Sequence, residues 1–163
     1  MQYLLIFIAG LLQIASCDSA EKSKSQTKPD SAKNNWTVLL TGQQCEIEEG
    51  KNIIIKSQTD FDNLWNEMHS DRPDQPEKPK VDFQSKWVIA CFLGNVSSAG
   101  HSIEMKSVTN ETDETIIYLL HKRPGSDCIS AQVIESPYLL VSIDQFKPDA
   151  VEFRVEVLDE NCE

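Results

Sequence analysis

The sequence is short of positive charge and of the residue patterns that mark most enzymes. Lys and Arg number 15 against 26 Asp and Glu, for a formal net charge of −11. A stripe of Lys and Arg is the footprint of phosphate-backbone binding. The nearest feature here is the isolated pair Lys122-Arg123, so nucleic acid is not an expected partner. The acidic excess also repels anionic lipid headgroups. There is no Cys-x-x-Cys, no Gly-x-Ser-x-Gly and no glycine-rich phosphate loop, which removes the common zinc, serine-hydrolase and nucleotide signatures. The three histidines, His69, His101 and His121, match no recognised metal-ligand spacing, and neither a metal nor another cofactor is expected. Cys91 with His101 would be the one conceivable nucleophile and base. Cys91 lies inside an apolar run, however, whereas a reactive thiol needs a partly exposed, electropositive surrounding. Asp82 and Asp144 read as turn and strand-end residues. No catalytic residue is therefore assigned, and the expected protein is not an enzyme.

Long apolar runs are missing too. The longest, Tyr3 to Ile14, is interrupted by Gly10 and Gln13 and falls short of the ~20 residues that a membrane-spanning helix needs. Its length suits the apolar centre of a secretory signal. It leads into Ile14-Ala15-Ser16-Cys17, which resembles the lipobox of bacterial lipoproteins, although no Lys or Arg precedes the run. The resemblance implies a signal peptide over 1–16 and a diacylglyceryl group on the Cys17 sulfur. It places the protein in the bacterial cell envelope, lipid-anchored at the outer membrane or cell surface. Two or more acyl chains anchor stably, at about 0.8 kcal/mol for each buried methylene. Residues 17–35 are rich in Ser, Lys, Asp and Asn and are expected to form a disordered tether. Such a coil spans on the order of 25 Å, enough to lift a domain off the headgroups.

Four cysteines follow the lipobox, namely Cys45, Cys91, Cys128 and Cys162. In an exported chain an even number suggests disulfides, and four cysteines allow three pairings. Cys128 in a turn and Cys162 near the end of the sequence favour each other, because a clip there would stop a terminal strand fraying. Cys45 is then left for Cys91.

Residues 36–163 suit one domain. Trp36 to Thr41 and Asn52 to Lys56 are rich in β-branched residues and read as short strands. Phe61, Leu64, Trp65 and Met68 fall on one face of a helix, with Asp60 as its expected cap and His69 near the dipole at its far end. Pro73, Pro76 and Pro79 forbid regular structure over the following crossing. Trp87 to Leu93 is apolar throughout, as in a strand buried on both faces. Gly94 to Gly100 turns the chain. Ser102 to Val108 and Thr115 to His121 form an expected hairpin, Pro124-Gly125 a turn, and Tyr138 to Ile143 another strand. Val151, Phe153, Val155 and Val157 alternate with charged residues, as in a strand with one face on the core and one in water. The expected fold is α+β, with one amphipathic helix packed on a curved, mostly antiparallel sheet.

Several landmarks recur in order: Phe61-x-x-Leu64-Trp65, Val81-Asp82-Phe83, Trp87 to Leu93 leading into Gly94, Ala99-Gly100-His101, Pro124-Gly125, Ser136-Pro137-Tyr138 and Lys147-Pro148. On these residues the region from Gln58 to Pro148 resembles the C-terminal domain of the protease-complex subunit PrcB, found in many bacterial envelope lipoproteins. Where that family tends to show Gly-Gly-Tyr, this chain has Ala99-Gly100-His101. The resemblance implies a non-catalytic accessory module that binds an envelope protein and helps to assemble or stabilise a surface protease complex. The turn carrying Gly94, Gly100 and His101 is the expected binding loop. The alternative is a protein that uses the same turn to hold a small ligand or metal in the envelope.

Overall fold

The computed structural model describes residues 35–70, 73, 75–147 and 150–162. The expected signal peptide, Cys17 and the tether up to residue 34 lie outside the described residues. Among the described residues seven strands and one helix follow in the order β1 (Trp36–Gly42), β2 (Lys51–Ile55), α1 (Gln58–His69), β3 (Lys86–Phe92), β4 (Ser102–Asn110), β5 (Thr115–Pro124), β6 (Tyr138–Asp144) and β7 (Val151–Glu160). The fold is α+β and mostly antiparallel, with one helix, as the sequence pattern predicts. The strands are divided between two sheets, however, rather than forming one curved sheet. One has the order β1-β6-β3-β2 and the other β4-β5-β7.

The apolar run of β3 explains this layering. In a strand successive side chains point to opposite faces, and here both faces are covered. Val88, Ala90 and Phe92 pack with Phe61, Leu64 and Met68 of α1. Ile89 and Cys91 pack instead with Ile103 and Met105 of β4 and with Ile117 and Leu119 of β5. β6 divides in the same way, Leu140 facing the helix and Leu139, Val141 and Ile143 facing the second sheet. The four-stranded sheet is thus the middle of three layers, with β3 and β6 at its centre.

The helix begins one turn earlier than its expected cap. Ser57 is extended (φ −138, ψ 155) and its Oγ accepts from the Asp60 amide at 3.2 Å, while the same hydroxyl donates to the Asp60 carboxylate at 2.6 Å. Ser57 is therefore the cap and Asp60 its partner three residues on, because a residue in extended backbone just before the helix can turn its side chain back onto an unpaired amide of the first turn. His69 lies in the last turn of the helix. It is 1% exposed, lies against the Trp65 ring and donates from Nδ1 to the Trp65 carbonyl at 3.0 Å.

β7 pairs with β5 in parallel at the edge of its sheet. Its alternation does not give one buried face. Phe153 packs against the inter-sheet core, but Val155 and Val157 are 47% and 50% exposed. These valines face the same side as Leu119 and His121, their register partners. Lying one strand further out, they pass the cover that the four-stranded sheet provides.

Candidate binding site at the loop end of the sheets

Two long connections lie side by side at one end of the molecule. Val96 and Glu135 form an antiparallel bridge with amide-to-carbonyl distances of 2.8 and 3.0 Å, and the Ala99 amide reaches the Ala131 carbonyl at 2.9 Å. The Ser136 hydroxyl donates to the Asn95 side-chain oxygen at 2.6 Å. Neither segment has a ladder of its own, and each satisfies part of the other's backbone, as buried amides and carbonyls require.

A disulfide fastens the second connection. Cys128 is bonded to Cys162, their Cα atoms 5.1 Å apart, and the Gly125 amide donates to the Glu160 carbonyl at 2.8 Å. The expected turn after Pro124 is thereby tied to the end of β7. Beside the bridge Ile129 is fully exposed, and Ile134 is 69% exposed on the same connection. Ile129, Cys128, Cys162, Gly100, Pro124 and Glu160 border a shallow cleft of about 300 Å³. Sequence reasoning missed these isoleucines, since a single apolar residue in a loop carries no periodicity.

The three residues expected to make the binding loop have different surroundings. Gly94 has φ +73, and a Cβ there would come within 2.6 Å of the Glu48 carbonyl oxygen. This buried residue allows a close backbone approach to the segment before β2 and offers nothing to a ligand. Gly100 (φ +97) lies against Pro124, at the cleft. His101 Nδ1 is 3.0 Å from His121 Nε2, and His101 Nε2 is 3.3 Å from the Ser98 hydroxyl. The two histidines meet because β4 and β5 are a hairpin in which Ile103 is opposite His121. Burial first, then the neighbouring His101 and Arg123, hold the His121 imidazole below its ordinary pKa.

The pair Lys122-Arg123 is already neutralised. Lys122 Nζ is 2.7 Å from Glu104 and 3.6 Å from Glu160, and Arg123 is paired with Asp159. Hydrogen bonds donated to Glu104 by Lys122 and to Asp159 by Arg123 accordingly raise the pKa of each cation. Asp82 accepts from the Gln84 amide and the Ser85 hydroxyl in a turn, and Asp144 is paired with Lys86 at a strand end. Each carboxylate thus has a local structural partner.

The cysteines contradict the second expected disulfide. Cys45 packs among the residues around α1, and its thiol donates to the Ser136 carbonyl at 3.4 Å. Cys91 lies between the two sheets. The four-stranded sheet separates them, so a Cys45–Cys91 bond cannot form in this fold, and both keep their thiols. Cys91 has no exposure and burial pushes its pKa up to about 12, the reverse of what a nucleophile needs.

Residues 87–144 match the family model described as PrcB C-terminal. The matched span runs from the second residue of β3 to the last of β6, and so takes in the two central strands and the β4–β5 hairpin between them. The helix and the Val81-Asp82-Phe83 segment precede it. No curated protein matches the chain, and no solved structure does so.

Proposed function

We propose that this protein is a non-catalytic accessory module, lipid-anchored through Cys17 in the bacterial envelope, that docks another envelope protein belonging to a surface protease complex. The match over residues 87–144 supports the accessory role in a protease-associated setting. The lipobox-like Ile14-Ala15-Ser16-Cys17 supports the anchor.

The observation that carries the docking reading is Ile129, fully exposed one residue beyond a cysteine whose disulfide pins the loop to the end of β7. An apolar side chain held outward on a constrained loop is a preorganised anchor, since little freedom remains to be lost on binding. The charge of −11 favours a partner whose facing surface is basic.

A photo-cross-linking residue at Ile129, introduced in the native host, tests this reading. Recovery of one reproducible envelope protein, abolished by Ile129→Asp, is the expected result. Failure to recover any partner, or a partner unaffected by Ile129→Asp, overturns docking at this loop. The intact mass of the protein extracted from membranes tests the anchor, with diacylglyceryl on Cys17 expected.

A further inference from the structure

We propose that His101 and His121 form a two-histidine binding site for a divalent transition-metal ion of the copper(II) or nickel(II) type. The proposal stands on their geometry and is independent of the docking reading.

His101 Nδ1 and His121 Nε2 are 3.0 Å apart. Metal–imidazole bonds are about 2.0–2.1 Å long, so two nitrogens at that spacing subtend roughly a right angle at an ion bound to both. This suits the cis positions of a tetragonal centre, the geometry preferred by Cu²⁺ and Ni²⁺. A tetrahedral ion would need the nitrogens about 3.3 Å apart, and a small opening of the pair would supply that. The rings are tilted by 37° to one another, and an ion bound to both nitrogens would lie beside their present line of contact.

The proton count closes without loss. In the metal-free pair of neutral imidazoles, one of the two facing nitrogens carries a hydrogen and donates to the other. When that hydrogen is on His101 Nδ1, coordination moves it to His101 Nε2. There the Ser98 hydroxyl oxygen, 3.3 Å away, can accept it. A ligating histidine usually donates its other N–H in this manner, which fixes tautomer and ring orientation. Ser98 is thus a positioning residue.

Two further features favour a cation here. The chain's net charge of −11 raises the local concentration of positive ions. Arg123, a positive charge that bears on His121, is paired with Asp159. Among the described residues no cluster of three or more His, Cys, Asp or Glu is placed to hold a metal, so the remaining positions belong to water. His69 is held on α1, across the four-stranded sheet, and supplies no ligand.

Titration of the full chain with Ni²⁺ and Cu²⁺, followed by calorimetry and by the imidazole ¹⁵N resonances, tests the site. One ion per chain is expected, with shifts confined to the ring nitrogens of His101 and His121, that of His101 Nε2 reporting its uptake of the proton. Ser98→Ala should weaken binding about tenfold, and His101→Ala or His121→Ala more than the 10–100-fold typical of an outer partner. Absence of binding, shifts at His69 or at other groups instead, or unchanged affinity in the double variant would each overturn the site. The resonances of the unsubstituted protein decide the matter even if a histidine variant fails to fold.

Discussion

Cys45 and Cys91 lie on opposite faces of the four-stranded sheet, one in the layer around Phe61 and the other in the layer around Ile117. An alkylating reagent should therefore modify neither in the native protein at neutral pH. After unfolding without reductant both should be labelled, and Cys128 and Cys162 only after reduction. Peptide mapping of the labelled protein checks all four positions. A Cys45–Cys91 bridge would appear as two sites that resist labelling until reduction.

The Cys128–Cys162 bond closes a sequence separation of 34. By chain entropy this stabilises the fold by about 4 kcal/mol. Cys128→Ser with Cys162→Ser should lower the urea midpoint accordingly. It should also speed amide exchange near Glu160, where β7 is an edge strand and its end is held by the disulfide and by the Gly125 amide. Equal exchange in both proteins would show that β5 alone secures the strand.

Much of the architecture was legible because it depends on local period. The spacing of Phe61, Leu64, Trp65 and Met68 fixed the helix and its buried face, and the unbroken apolar run of β3 announced a strand covered on both sides. The division into two sheets was not legible. It depends on which strand pairs with which, and a residue-level pattern is the same for either partner. The alternation over Val151 to Val157 was misleading for the same reason, since period two shows that a strand has a distinct apolar face and not that another layer covers it. The pairing of His101 with His121 was hidden by a separation that only the hairpin register converts into contact. Cys128 with Cys162 was readable because one lies in a turn and the other after the last strand, where a clip has an evident use.

The helix offers two substitutions of different expected size. Ser57→Ala removes an N-cap and should cost about 1 kcal/mol. Phe61→Ala empties a position with no exposure that also packs against Trp65 and Phe83, for a cost of about 3–5 kcal/mol. Denaturant unfolding followed by tryptophan fluorescence measures both. Equal losses would mean that the helix is held by its cap rather than by the face it buries.

Cys91 also gives the protein a particular weakness in alkali. Its thiol is protonated in the folded state up to about pH 12 because burial opposes the thiolate, whereas in the unfolded chain it ionises near its ordinary value of about 8.5. Between these values the unfolded state binds fewer protons than the folded one, so stability falls as pH rises. Each unit costs about 1.4 kcal/mol from this group. Below the unfolded value the contribution is fully present. Lysines and tyrosines also titrate in the upper part of this range, so the test is a comparison. Urea midpoints of the unsubstituted protein and of Cys91→Ala should both be measured from pH 8 to pH 11. Cys91→Ala starts lower at pH 8 because it leaves a cavity between the sheets, and the two curves should converge as pH rises. Parallel curves would mean that the thiol ionises within the folded core, and that the layer between the sheets admits water.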